Sequence, residues 1–123
     1  MKVLREGHKY FLENFEQETK SISGEDIPWI AVGQEIQFIE KVPVEQLENI
    51  PVEAEKGILV TLFNGTTNEE VLAVLIDRLN YLQGKFPCKE NAVAITHIET
   101  ALLWLNKRTE DRKKRGVEGK QVK

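Results

Sequence analysis

The strongest constraint on the fold is a pair of amphipathic helical patterns in the second half of the sequence, joined by a short connection. The two threonines at 66–67 each offer a helix N-cap with an acid three residues later, and valines and leucines follow at helical spacing. Gly84 favours a helix stop, and the next four residues, KFPC, favour a tight connection. A second helix with its own apolar stripe is predicted to begin near residues 89–90 and to end near Lys114. These patterns predict an antiparallel helical hairpin.

The N-terminal half contains short apolar runs that predict β-strands. The runs with strand-like composition or alternation are residues 8–15, 34–42 and 58–63. Residues 16–26 are polar and are predicted as a loop, and residues 43–57 are predicted as a second loop with a short helical turn. The predicted fold class is α+β, with a small N-terminal antiparallel β-sheet followed by a C-terminal antiparallel helical hairpin.

The chain length of 123 residues suits one compact unit that is built from three segments. We expect an N-terminal β part over residues 1–63, the helical hairpin over residues 64–116 and a flexible tail over residues 117–123. Two long amphipathic helices present a broad apolar face that a short sheet does not fully cover. Self-association into a homo-oligomer is therefore expected.

The charge balance limits the classes of partner. The chain carries 17 Lys and Arg against 20 Asp and Glu, whereas a protein that coats long nucleic acid usually presents a net positive domain. The bases concentrate after Trp104, which favours a local anion site and no long nucleic acid. The sequence shows no apolar run of membrane-span length and no secretory signal. With a single cysteine as well, we expect a cytosolic chain with no membrane partner.

The basic end of the second helix carries the main candidate site. Trp104, Arg108 and Arg112 lie four residues apart and therefore share one helical stripe. No acid lies three or four residues from Arg112, and an arginine pair of this kind suits phosphate, because each guanidinium can bind it through two hydrogen bonds. The alternative is a solvated helix end, since cations near a helix C-terminus interact favourably with the helix dipole. Spacing alone leaves both interpretations open.

Three residues around the hairpin connection also have two interpretations each. Tyr81 and Phe86 are either aromatics at the edge of the core or platforms on which a nucleobase stacks. Asn91 is either a polar residue at a helix start or a group that reads the edge of a base or ribose. Spacing alone favours the structural role for each of them.

Catalytic chemistry has no comparable support in the sequence. His97 and Cys88 lack the further ligands that a metal site needs, and the segment NGTTNEE lacks the lysine and the glycine spacing of a phosphate-binding P-loop. Glu99 is more simply explained as a polar contact between subunits than as a general base. We therefore predict no catalytic residue, no metal and no cofactor.

Two long motifs in the hairpin resemble a known family. ENAVAITHIETALLWL (90–105) and KRTEDRKKRGVEG (107–119) are similar to the hairpin of phage Thoeris anti-defence (Tad) cyclic-nucleotide sponges, and the first motif also resembles anti-CBASS sponges. KYFLENFE and GQEIQFIEK resemble the first strands of the Tad family. Residues 16–32 and 43–57 depart from the family pattern, and if these segments line the pocket, ligand preference here would differ from that of the family.

The resemblance implies a binding protein and not an enzyme. Members of this family hold a cyclic nucleotide immune signal, glycocyclic ADP-ribose, and some also hold the cyclic trinucleotides of CBASS defence, in the cytoplasm of an infected bacterium. The resemblance implies that the ADP-ribose-type ligand lies in pockets built by paired subunits, and that the cyclic trinucleotides lie at separate sites formed by a hexameric assembly. By position in the motif, the family's ligand-contacting aromatic, asparagine and two arginines fall on Tyr81, Asn91, Arg108 and Arg112.

Two other functions stay open at this point. A nucleotide-degrading anti-defence enzyme would need a general base or a metal, for which the sequence offers no clear candidate. A protein-interaction module would use the apolar face of the hairpin to dock a partner, although self-assembly explains the same face.

Overall fold

The computed structural model has an α+β fold, in which antiparallel strands precede two C-terminal helices that form a hairpin, as predicted. The structure describes residues 1–17, 20–22, 25–27, 31–47 and 57–121. Much of the predicted loop at 43–57 therefore lies outside the described residues. The part that is described includes a short 3₁₀ helix, Val44–Gln46, which confirms the helical turn predicted there.

Seven short strands lie in the described part of the chain and form three separate antiparallel sheets. Strands β1, β2 and β5 pair in that order, β3 pairs with β4, and β6 pairs with β7. The bounds are β1 Lys2–Arg5, β2 Lys9–Glu13, β3 Lys20–Ile22, β4 Glu25–Ile27, β5 Gly33–Gln37, β6 Glu40–Pro43 and β7 Leu59–Phe63. The sequence predicted one small sheet, so the arrangement of the strands is more divided than expected.

Two strand predictions were wrong in detail. The polar segment at 16–26 contains β3 and β4, which pair with each other, where a loop was predicted. The single strand predicted at 34–42 is instead two strands, β5 and β6, in different sheets. The chain changes sheets at Phe38, whose N–H donates to His8 O at 2.7 Å, while the next N–H donates to Thr66 O at 2.9 Å.

The two helices agree closely with the prediction. Helix α1 spans Asn68–Lys85, and the Thr67 hydroxyl caps it by accepting from Glu70 N at 3.2 Å. Gly84, which was predicted to stop the helix, lies inside its last turn. Helix α2 spans Lys89–Lys114 and begins at Cys88, whose sulfur accepts from the third N–H of the helix at 3.4 Å. Neither helix is long and apolar enough to cross a membrane.

The connection between the helices is held by one side chain. The Gln83 amide donates to Cys88 O and its carbonyl oxygen accepts from Cys88 N, both at 3.0 Å. These two bonds close a short loop through Phe86 and Pro87, so the helices must run antiparallel. The packed face between them contains Ile95, which is 8% exposed.

The C-terminal segment differs from the predicted flexible tail. After α2, residues 117–121 turn back toward the start of β7, where Leu59 N donates to Gly119 O at 2.8 Å and Gln121 N donates to Gly57 O at 2.9 Å. Residues 122–123 lie outside the described residues. The segment at 117–121, here called the C-terminal strap, is therefore hydrogen-bonded to the strands, whereas the sequence predicted fraying.

The folded chain leaves much apolar surface uncovered. Within the described residues, Ile95 is the only buried hydrophobic side chain, while Leu103 and Trp104 on α2 are 68% and 63% exposed. These exposed apolar side chains on α2 form a surface of the kind that a partner covers.

Candidate functional site

Three of the predicted site residues line one cavity at the C-terminal end of α2. This hairpin-base cavity has a volume of about 340 Å³, and Trp104, Arg108 and Arg112 all contribute to it. Its other lining residues are Lys107, Asp111 and Arg115. The helical stripe that the sequence predicted is therefore the wall of a concave surface.

The hairpin-base cavity is electropositive beside an aromatic ring. Four of its six lining residues are cationic and one is acidic. Lys107 pairs with Asp111 at 3.3 Å, and its ammonium nitrogen also lies 5.6 Å from the centroid of the Trp104 ring. A local excess of positive charge next to an exposed indole suits an anion that carries a planar group.

Arg112 has a different environment from the one that spacing suggested. It is only 8% exposed, and its Nη2 donates to Val117 O at 2.9 Å and to Lys120 O at 2.6 Å. Its Nε lies 3.5 Å from the Glu118 carboxylate. Arg112 thus holds the C-terminal strap. Its partners lie beyond the end of α2, so the search for acids three or four residues away did not find them.

The other three predicted residues lie at the opposite end of the hairpin. Tyr81 is 61% exposed with the Lys85 ammonium 5.6 Å from its ring centroid, Phe86 is 82% exposed, and Asn91 is half-buried. Asn91 and Arg108 are 17 residues apart on one helix, which corresponds to about 25 Å. Within a single chain these two groups cannot contact the same small ligand.

A second cavity was not predicted from the sequence. This sheet–helix cavity, of about 530 Å³, lies between the turn before β2, the end of β5 and the first turn of α1. It is lined by Gly7, His8, Tyr10, Phe38, Ile39, Thr66, Thr67, Asn68, Glu69 and Arg108. Arg108 is the one residue that lines both cavities, so they adjoin at its side chain.

Helical periodicity could not have revealed the sheet–helix cavity, because its walls come from segments that are distant in the sequence. One local signal was present in Gly65. A Cβ at this residue would meet Gln37 O at 2.5 Å, so only glycine permits the approach that brings α1 to the sheet. The sequence shows the glycine, but it does not show that the backbone at Gln37 lies opposite it.

Comparison with known proteins agrees with the hairpin geometry. The family model of the Acb2/Tad1 hairpin domain matches residues 42–110, which is more than half of the chain. A protein of Bacillus phage SBSphiJ7 described as Thoeris anti-defense 1 is 56% identical over 61 residues. The aligned stretch covers 49% of this chain and 43% of that relative.

Proposed function

The chain belongs to the Acb2/Tad1 hairpin-domain family, and from this premise we propose that it binds and sequesters a cyclic nucleotide immune signal without cleaving it. The proposed signal is glycocyclic ADP-ribose, with cyclic trinucleotides as a second ligand class. The protein would act in the cytoplasm of an infected bacterium and block its anti-phage defence. The related phage protein, described as Thoeris anti-defense 1, supports this role.

The observation that carries the proposal is the hairpin-base cavity. It places the exposed indole of Trp104 beside Arg108 in a concave, positively charged surface. A nucleotide combines a planar base with phosphate, and these are the groups that an aromatic face and a guanidinium recognise. These groups are sufficient to bind a nucleotide, and binding alone is what sequestration requires.

A complete site requires a second copy of the chain. Asn91 lies about 25 Å from Arg108 in one chain, by helix length, and Tyr81 and Phe86 lie at the same end of the hairpin as Asn91. The exposed side chains of Leu103 and Trp104 on α2 support an assembly that covers part of the hairpin. In such an assembly, the connection end of one hairpin would face the arginine end of its partner.

We propose that two α2 helices pack antiparallel through their exposed face in one register. An exposed stripe on α2 contains Glu90, Val93, His97, Thr100, Trp104 and Lys107. When the two-fold axis passes between residues 98 and 99, Glu90 faces the partner's Lys107 and Val93 faces the partner's Trp104.

Ligand release from denatured protein tests the proposal. The purified protein is incubated with glycocyclic ADP-ribose or with cyclic tri-adenylate, washed free of unbound ligand and heat-denatured, and the supernatant is analysed by mass spectrometry. Recovery of intact ligand is expected. A processed product would indicate an enzyme, and no captured ligand would leave the protein-interaction module as the better account.

A further inference from the structure

The sheet–helix cavity has rigid walls, which is a property of preformed ligand sites. Thr66 is fixed on both sides, because its N–H donates to Gln37 O at 2.8 Å and its carbonyl accepts from Ile39 N at 2.9 Å. Gly65 packs so closely on the same strand end that a Cβ would lie 2.6 Å from the carbonyl carbon of Phe38. The first turn of α1 is therefore held in place against the sheet.

The lining of this cavity is polar on one side and aromatic on the other. Tyr10 and Phe38 form an edge-to-face pair with ring centroids 6.0 Å apart. Asn68 and Glu69 line the side that is formed by the first turn of α1. Hydrogen-bonding groups facing an aromatic wall suit a sugar, whose hydroxyls need acceptors and whose ring carbons pack on apolar surface.

Glu69 is available to act as such an acceptor. The residue is half-buried, and in the part of the chain that the structure describes its carboxylate makes no ion pair or side-chain hydrogen bond. The neighbouring Thr67 hydroxyl, by contrast, is occupied by Glu70 N. A carboxylate that accepts hydrogen bonds from ribose hydroxyls is a recurrent solution in nucleotide-binding proteins.

The position of Arg108 connects this cavity to the nucleotide site. It lies at the junction of the two cavities, where a pyrophosphate would sit with one part of the ligand on either side. Resting on the proposed function, we propose that the sheet–helix cavity is a ribose subsite in which Glu69 accepts hydrogen bonds from hydroxyls of the bound nucleotide. The ligand class is a sugar-containing pyrophosphate, with Arg108 on the phosphates.

The proposal predicts that removing Glu69 changes the ligand affinity in the opposite direction to the change that charge alone would cause. The ligand is anionic, so removing a nearby acid reduces repulsion and would tighten binding if Glu69 acted only through its charge. If Glu69 accepts hydrogen bonds from the sugar, its removal weakens binding. Glu70 is the control for charge alone, because it lies in the same helical turn as Glu69 but lines a groove on a different face of α1.

The test compares Glu69→Ala and Glu70→Ala with the wild type, using glycocyclic ADP-ribose as the probe in isothermal titration calorimetry. Thermal melts of both variants establish that they fold. We expect Glu69→Ala to weaken binding about tenfold or more, and Glu70→Ala to change it by less than about twofold. Equal or tighter binding by Glu69→Ala would overturn the ribose subsite, while binding by the wild type would leave the proposed function intact. If the wild type itself fails to bind the probe, both the proposed function and the subsite fall.

Discussion

At the scale of single residues, Arg112 is a structural contact for the C-terminal strap. Its guanidinium is buried and donates to the carbonyls of Val117 and Lys120. We expect Arg112→Ala to lower the free energy of unfolding by about 2–3 kcal/mol, because two carbonyls lose a charged donor and a cavity remains. Urea denaturation at a fixed protein concentration measures this change.

Lys107→Ala is the matched control for that substitution. Lys107 also belongs to an ion pair on α2, but both members of that pair, Lys107 and Asp111, are about half exposed to solvent. Its removal should change the free energy of unfolding by less than about 0.5 kcal/mol. Equal effects of the two substitutions would show that the strap contacts of Arg112 add nothing to stability.

Arg108 should behave as the ligand-contacting arginine of the pair. It is exposed and lines both cavities, and no strap contact occupies it in the described structure. We expect Arg108→Ala to weaken nucleotide binding about 10- to 100-fold with little effect on stability, and Arg108→Lys to restore it only in part.

Lys113→Ala removes the same charge from the same helix end, but that residue lines neither cavity. Titration calorimetry should find its affinity within about twofold of the wild type. A comparable loss in both variants would mean that net charge, and not the Arg108 contact, drives binding.

Residue identity and spacing were enough to predict that Trp104, Arg108 and Arg112 line one surface, because residues four apart on a helix must share a face. They were not enough to distinguish the environments of the two arginines. The partners of Arg112 lie in the C-terminal strap, and the chain must reverse direction after Gly116, which has a φ of 70°, before they come into contact. Such a contact depends on tertiary structure, which helical spacing does not contain.

At the scale of elements, the loop before α1 fixes the helix against the sheet. Gly65→Ala would place a Cβ 2.5 Å from Gln37 O, so the loop must move away. We expect a loss of about 2 kcal/mol or more in the free energy of unfolding, together with weaker nucleotide binding through a displaced sheet–helix cavity. Thermal denaturation and calorimetry measure the two effects.

Gly84→Ala is the control, and its expected effect has the opposite sign. Gly84 lies inside α1, and a Cβ there meets no atom within 4 Å. Alanine should stabilise the helix by about 0.5 kcal/mol. If both substitutions destabilised the protein equally, close packing at Gly65 would not explain the result.

The helices could be predicted because their signals are local. The Thr67 cap and the apolar spacing lie within the segments that they define. The strands were predicted less well, since β5 and β6 are adjacent in sequence but pair with different partners. Strand β1 was missed because no alternation marks its four residues, and its position depends on pairing with β2.

At the scale of the whole molecule, the proposed α2 register predicts a charge-reversal experiment. Glu90→Lys would face the partner's Lys107 twice in each symmetric pair, and Lys107→Glu would face the partner's Glu90. Each single variant should associate about tenfold more weakly, and the double variant should recover. Light scattering over a concentration series measures the association.

Glu110→Lys controls for the change in net charge. Glu110 is exposed on the same helix, and in the proposed register it faces the partner's Pro87. Its association should match the wild type. A double variant, Glu90→Lys with Lys107→Glu, that stays as weak as the singles would exclude this register.

The sequence predicted self-association from the breadth of the apolar hairpin face, and this stays a prediction. The structure adds the reason why one chain cannot form the predicted site, since Asn91 and Arg108 lie toward opposite ends of a 26-residue helix. Helical spacing shows which residues share a stripe, but two residues 25 Å apart along one helix contact the same small ligand only through a partner. No pattern within one chain can reveal that pairing.

The most direct test of this account mixes two inactive variants. If each site takes Asn91 from one protomer and Arg108 from its partner, Asn91→Ala and Arg108→Ala are both defective as pure proteins. Co-expressed with different affinity tags and purified through both, the mixed dimer contains one intact site and one doubly altered site. We predict that the mixed dimer binds glycocyclic ADP-ribose with wild-type affinity at about half of its sites. No recovery of binding, with dimer formation established, would contradict a site shared between two protomers.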